Sequence, residues 1–204
     1  MNAVATLLDG VDTGLPLLPQ MEVALDEDID WRAAIAAHVA SLSTDDLVRL
    51  ARHDGETPDV DPRVLTVAER DGTGLIRINI FSRQRFLTFW RGGTLSPHYH
   101  RRSFATRIIQ GSYQHLRFAN SGAQDAPQLT CVSRELLERD AGYGIEWHEY
   151  HFVMLPADGT VTINAHLPPA LPAKVTQPPP SAEDLTRLRD DILLALAADP
   201  ALPV

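Results

Sequence analysis

Between Val64 and Leu167, the chain consists of short runs rich in β-branched and aromatic residues, separated by turn residues. The runs are VLTVAE, GLIRINIF, RFLTFWR, SFATRII, SYQHLRFA, QLTCVS, YHFVML and TVTINA, and glycine or Asp-Gly lies between many of them. Regularly spaced short strands are typical of a β-sandwich or β-barrel. The helical patterns that a parallel α/β sheet requires are missing from this stretch. The sequence therefore predicts a mainly β protein.

Helical periodicity lies on both sides of these runs. Apolar residues recur at helical spacing over Ile29–Leu42, and a second helix starts in the acidic segment 43–46. Residues 168–180 are rich in proline, which predicts an extended tether. The segment that starts at Ser181 resembles a capping box, followed by a C-terminal helix with a leucine-rich stripe.

The length of 204 residues suits a single domain with its own core. We expect an N-terminal arm and helices that pack on the barrel (1–60), the barrel itself (61–170), and the tether with its helix (171–204). The apolar segment 15–19 is an arm that lies either on the barrel or across a dimer. The stripe of the C-terminal helix packs on the barrel or on a second copy, so a homodimer is compatible with the sequence.

Charge and composition limit the classes of molecule that we expect to bind this protein. The formal net charge is −9 and no run of Lys and Arg is present, which argues against nucleic acid and against an anionic membrane surface. No apolar run approaches the length of a membrane span, and the N-terminus lacks the pattern of a signal peptide. Cys131 is the single cysteine, so no intrachain disulfide forms. We expect a cytoplasmic protein whose partner is a small molecule.

The segment with the clearest chemistry contains His98 and His100. On a strand, residues two positions apart point to the same face of the sheet. Imidazole is the commonest side-chain ligand for Zn, Fe, Ni and Cu. Two such rings on one face therefore predict a site for one divalent metal ion.

The surrounding residues add a family resemblance. Gly92 lies six residues before His98, and Gly111 lies eleven residues after His100. This spacing resembles the first cupin motif, G(X)5HXH(X)3-4E(X)6G. The resemblance implies a cupin fold, a double-stranded β-helix or jelly-roll barrel, here with N-terminal and C-terminal helices. Where the family has a metal-binding glutamate, this chain has Phe104, so histidines must hold the metal without that carboxylate.

The second cupin motif supplies another histidine from a later strand. The matching segment is 140–153, which contains His148 and His151. Aligning Tyr143 and Val153 with the family pattern places His151 at the ligand position and His148 at the turn glycine. The glycine and proline of that turn are absent, so the choice between the two histidines stays open, with His151 favoured.

A three-histidine site without a carboxylate resembles the cysteine dioxygenase group of thiol dioxygenases, over roughly residues 75–169. The resemblance implies Fe(II) as the metal, with O2 and a small carboxylate-bearing amino acid or thiol as substrates. It places Arg77 on the strand that binds the substrate carboxylate, ahead of a strand that contains Trp90. It places His166 at the position of the family's catalytic tyrosine, which puts cysteine itself in doubt as the substrate.

Other interpretations remain open. Three histidines also suit Zn(II), Ni(II) or Mn(II), and the protein is then a lyase, isomerase or hydrolase. A cupin that binds a small ligand without turnover is a third class. Arg83, Arg85 and Arg107 compete for the carboxylate-binding role. His166 is alternatively a polar residue that lines the barrel, and His115 can also point into the pocket.

Overall fold

The computed structural model describes residues 3–9, 11–12, 15–26, 28–54, 62–171 and 180–198 as six helices and eight strands. The helices are α1 (Ala3–Thr6), α2 (Leu17–Asp26), α3 (Trp31–Ser41), α4 (Thr44–Asp54), α5 (Arg83–Arg91) and α6 (Ala182–Ala197). The strands are β1 (Arg63–Arg70), β2 (Gly74–Ile80), β3 (Phe104–Gln110), β4 (Ser112–Asn120), β5 (Leu129–Glu138), β6 (Gly142–Ile145), β7 (Tyr150–Met154) and β8 (Val161–His166).

The strands pair in a nested, antiparallel order. β2 pairs with β8, His98 forms a bridge to β7, β3 pairs with β6, and β4 pairs with β5. This first-with-last nesting is the pattern of a jelly roll, in which a long antiparallel ribbon folds into two facing sheets. The sheets have the orders β1-β2-β8-β3-β6 and β5-β4-β7. The fold is therefore the predicted mainly β jelly roll with helices on both sides of it in the sequence.

Side chains on β8 alternate between two environments. Ile163 and Ala165 belong to the apolar core that the helices share with the five-stranded sheet. Successive side chains of a strand point to opposite faces, so Thr162, Asn164 and His166 point into the barrel. All five are buried, and the interior of the barrel is consequently polar along this strand.

Helices cover the outer face of the five-stranded sheet, and their apolar residues form the larger core. The two predicted N-terminal helices are present as α3 and α4, and the predicted C-terminal helix is α6. The Ser181 hydroxyl accepts a hydrogen bond from the Asp184 backbone N–H at 3.1 Å, which confirms the predicted cap of α6. No helix within the described ranges has the length and apolar character that a membrane span requires.

Two segments differ from the sequence prediction. RFLTFWR was predicted as a strand and is helix α5, so the prediction of a tryptophan-containing strand is wrong. The reason is tertiary packing: Phe86 and Trp90 lie one helical turn apart, and their ring centroids are 6.3 and 5.7 Å from that of Phe152 on β7. The segment 15–19 was predicted as an arm, but its last three residues form the first turn of helix α2. The predicted tether lies largely in 172–179, outside the described residues.

Candidate metal centre

Three histidines meet at one end of the barrel. His98 and His151 form a backbone bridge, with the His98 N–H donating to the His151 carbonyl at 3.0 Å and the reverse bond at 2.9 Å. His100 follows two residues after His98 and lies outside any strand. The H-x-H pair was predicted to lie on a strand, but His98 forms only a single bridge and His100 is in no strand. That bridge nevertheless brings both rings against β7.

The distances between the rings suit one metal ion. One ring nitrogen from each of His98, His100 and His151 lies within 4.8 Å of the others. His100 Nε2 and His151 Nε2 are 2.8 Å apart. Two nitrogens that each lie about 2.1 Å from one metal are roughly 3.0–3.4 Å from each other. The three side chains can therefore hold one ion once the rings adjust, and three imidazole nitrogens suit a divalent transition metal.

Hydrogen bonding selects the ligand atom of His98. Its Nδ1 lies 2.9 Å from the backbone carbonyl oxygen of Ser96. A carbonyl oxygen only accepts hydrogen bonds, so Nδ1 carries the proton and Nε2 retains its lone pair. An outer partner of this kind is usual for metal-binding histidines. His98 is thus prepared to bind a metal through Nε2.

Burial keeps the other two rings neutral. Desolvation lowers the pKa of His100 to about 3, with smaller contributions from the charges of His98 and Arg77. Desolvation, followed by the charge of His100, lowers the pKa of His151 well below its ordinary value. Neutral imidazole is the form that coordinates metals. At neutral pH, both rings are therefore ready to bind a cation.

Phe104 occupies the place of the missing glutamate. Its ring centroid is 4.9 Å from that of His100 and 5.0 Å from that of His166, against which it stacks. No carboxylate within the described ranges joins the histidine cluster. The ligands are therefore all neutral, and a bound ion would keep its full positive charge.

Arg77 and His166 face the same interior on neighbouring strands. Arg77 lies opposite Asn164 in the β2–β8 register, and both Arg77 and His166 are buried. Desolvation, followed by the charge of Arg77, lowers the pKa of His166 well below its ordinary value. The Arg77 charge also acts on His100. The structure therefore brings both predicted residues close to the cluster.

The competing arginines lie elsewhere. Arg83 and Arg85 are exposed on α5, and the Arg85 guanidinium lies over the ring of Phe89. Arg107 donates from Nη1 to the carbonyl of Leu25 at 3.1 Å, on the helix side of β3. Arg77 is consequently the member of this group that points into the barrel.

The structure separates the two candidates for the third histidine. His148 is exposed in the turn before β7, where its ring centroid is 5.3 Å from that of Trp147. His151 is buried in β7 and belongs to the cluster. The family pattern and the strand phase favoured His151, and His151 is the one of the two that lies beside His98 and His100.

A fourth histidine contacts the cluster. His115 on β4 is buried, and its Nε2 lies 3.0 Å from His151 Nδ1. Its ring stacks on Tyr143 with centroids 4.1 Å apart. Desolvation, followed by the charge of Arg117, lowers the pKa of His115 to about 4. The sequence indicated only that His115 could face the pocket, because the pairing of β4 with β7 is not visible in the sequence.

Comparisons with known proteins found similarity only to solved structures. No family model matches the chain, and no curated protein is similar to it. Among solved structures, KdgF from Halomonas sp. has 15% identity and a TM-score of 0.37, with 57% of this chain and 90% of that chain covered. A hydroquinone 1,2-dioxygenase, PnpCD, in complex with Cd2+ and 4-hydroxybenzonitrile, has 14% identity and a TM-score of 0.37, with 58% and 76% covered.

An RmlC-like cupin from Shewanella frigidimarina has 12% identity and a TM-score of 0.35, with 55% of this chain and 83% of that chain covered. The assignment of the fold rests on the nested strand order. Together, the strand order and the histidine cluster define a jelly roll with a candidate three-histidine metal site.

Proposed function

We propose that this protein is a mononuclear non-haem iron oxygenase that acts on a small, carboxylate-bearing substrate of the amino acid or thiol type. The observation that carries the proposal is a cluster of three neutral histidines, without a carboxylate in the described part of the chain, beside a buried arginine. His98, His100 and His151 would hold Fe(II). When bound, the ion would supply O2 activation and a positive charge that attracts an anionic group of the substrate.

Arg77 binds the substrate carboxylate in this proposal. A guanidinium presents a planar fork that pairs with a carboxylate through two parallel hydrogen bonds. Arg77 is 7% exposed, so such a pair would form in an environment of low dielectric, where charge attraction is strong. Its position on β2, beside the β8 residues that face the interior, would fix the substrate relative to the histidines.

His166 donates or accepts a proton at the substrate in this proposal. It is 5% exposed, and its Nδ1 has no hydrogen-bond partner. A buried polar atom without a partner costs free energy, which a ligand with a complementary group would recover. The neutral ring offers one N–H and one lone pair, so it can either donate or accept a proton at the substrate. Its stacking on Phe104 holds the ring in place.

A second candidate function keeps the site and changes the metal. Three nitrogen ligands with an open fourth position also describe a catalytic Zn(II) site, in which the metal acts as a Lewis acid for a lyase, isomerase or hydrolase. The all-nitrogen donor set favours this alternative as much as it favours iron. A cupin that binds a ligand without turnover would use the same residues.

The test is anaerobic purification followed by elemental analysis and oxygen consumption with a panel of thiols and amino acids. The proposal expects stoichiometric iron and oxygen uptake that depends on one substrate. Both should be lost in His100→Ala and retained in His148→Ala, the matched control. Zinc without oxygen uptake would overturn the proposal in favour of the Lewis-acid enzyme. Ligand binding that survives His98→Ala and His100→Ala, without turnover, would support the binding protein instead.

A further inference from the structure

We propose that His115 is a positioning residue that fixes the tautomer of His151, so that His151 presents Nε2 to a metal. The inference rests on the metal site proposed above and adds a residue to it. It begins from a row of three rings across the barrel interior. His100 Nε2 lies 2.8 Å from His151 Nε2, and His151 Nδ1 lies 3.0 Å from His115 Nε2.

A neutral imidazole carries one ring proton, so this row has only two proton arrangements. In the first, His151 Nδ1–H donates to His115 Nε2, and the lone pair of His151 Nε2 accepts from His100 Nε2–H. In the second, His115 Nε2–H donates to His151 Nδ1, and His151 Nε2 carries the proton. Only the first arrangement leaves a lone pair on His151 Nε2. A metal that binds there and at His100 Nε2 would displace the His100 Nε2 proton, which the neutral ring then carries on Nδ1. Metal binding therefore requires His115 to accept the hydrogen bond.

The surroundings of His115 hold its ring in the required orientation. The ring is 3% exposed and stacks on Tyr143 with an interplanar angle of 24°. The Tyr143 hydroxyl is itself 3.0 Å from the hydroxyl of Tyr113. Tyr113 is buried in a small second core, which it forms with Phe81 and Ile108. A ring held on one face by this pair keeps Nε2 directed at His151.

His98 provides the parallel case within the same site. There, the Ser96 carbonyl accepts from Nδ1–H and leaves Nε2 available. For His151 the acceptor is a side chain, so it can be replaced without altering the backbone. Removing an outer partner of a metal-binding histidine typically lowers metal affinity about 10–100-fold.

The experiment compares Zn(II) binding to the metal-stripped full chain and to two variants. His115→Phe keeps a ring on Tyr143 but removes the acceptor, and we expect the Zn(II) dissociation constant to rise about 10–100-fold. His115→Gln can still accept from His151 Nδ1 through its amide oxygen, and we expect affinity within about threefold of the unchanged protein. Thermal unfolding of each metal-free variant identifies any loss of fold.

Nitrogen-15 NMR of the histidine side chains in the Zn(II)-loaded protein reads the tautomer directly. We expect His115 to be protonated at Nδ1 and unprotonated at Nε2. A proton on His115 Nε2 would overturn the inference, as would unchanged Zn(II) affinity in a folded His115→Phe or an equal loss of affinity in both variants. Failure of the unchanged protein to bind Zn(II) at all would refute the metal site itself, which is a separate result.

Discussion

The stability of the metal-free protein should fall steeply between pH 7.5 and pH 5.5. His115, His151 and His166 are each 5% exposed or less, and desolvation depresses the pKa of each in the folded state. In the unfolded chain their pKa returns to 6.5, so the unfolded state binds more protons in this range. The stabilising contribution is therefore complete above pH 6.5 and is lost as the pH falls towards the folded value, about 4 for His115.

Consider a group that is unprotonated in the fold and has an unfolded pKa of 6.5. Between pH 7.5 and pH 5.5, each such group lowers the free energy of unfolding by about 1.3 kcal/mol. The three groups together cost at most about 4 kcal/mol, a large part of the roughly 5–15 kcal/mol that stabilises a typical domain. His100, whose pKa is lowered to about 3 in the fold, adds a cost in the same direction. Carboxyl groups contribute little here, since their ordinary pKa values near 4 lie below the interval. The assay is urea unfolding with a chelator present, at both pH values, with the slope against urea checked for constancy.

Two variants separate the histidine contribution from other effects. His166→Phe preserves a ring against Phe104 and should reduce the difference between the two pH values by about 1.3 kcal/mol. His148→Gln changes an exposed residue and should leave the difference unaltered. Equal stability of the unchanged protein at pH 7.5 and pH 5.5 would refute the reasoning, because the buried rings would then carry no depressed pKa.

Three further predictions concern the fold and the pocket. Phe86→Ala should lower the free energy of unfolding by about 3–5 kcal/mol, whereas Arg91→Ala, at an exposed position, should change it by no more than about 0.5 kcal/mol. Equal effects of the two variants in urea unfolding would contradict the packing of α5 on β7. Gly74→Ala should destabilise the protein by about 1–3 kcal/mol, because φ is +148° and a Cβ would overlap the His166 carbonyl oxygen; an unchanged urea midpoint would exclude that overlap. Arg77→Met should raise the KM for a carboxylate substrate about 10–100-fold while metal content stays constant, measured by steady-state oxygen uptake; an unchanged KM would remove Arg77 from the substrate site.

The short runs of β-forming residues and the turn residues between them were sufficient to predict a barrel, because alternating apolar and polar residues and turn residues are local signals. Helix α5 was mispredicted for the same reason. Its sequence is rich in residues that favour strands, and its helical state depends on packing against Phe152, which is distant in sequence. A local signal was available in Ser82, whose hydroxyl accepts from the Arg85 backbone N–H at 3.4 Å and caps the helix.

The site divides in a similar way. His98 and His100 were predicted from their spacing, although the expected strand is reduced to one bridge. Sequence reasoning favoured His151, and only the pairing of distant segments separates it clearly from His148. The contact between His115 and His151 could not be predicted, because it depends on the β4–β7 register. That register places Arg117 opposite His151, and His115 lies two residues before Arg117 on β4, opposite Val153.

The central claim is that His98, His100 and His151 together hold one metal ion, and metal content per chain tests it most directly. Protein purified anaerobically should contain about one equivalent of a divalent transition metal, as should His148→Ala. Each of His98→Ala, His100→Ala and His151→Ala should lose most of that metal while keeping the fold. Retention of the metal in His151→Ala together with its loss in His148→Ala would contradict the account.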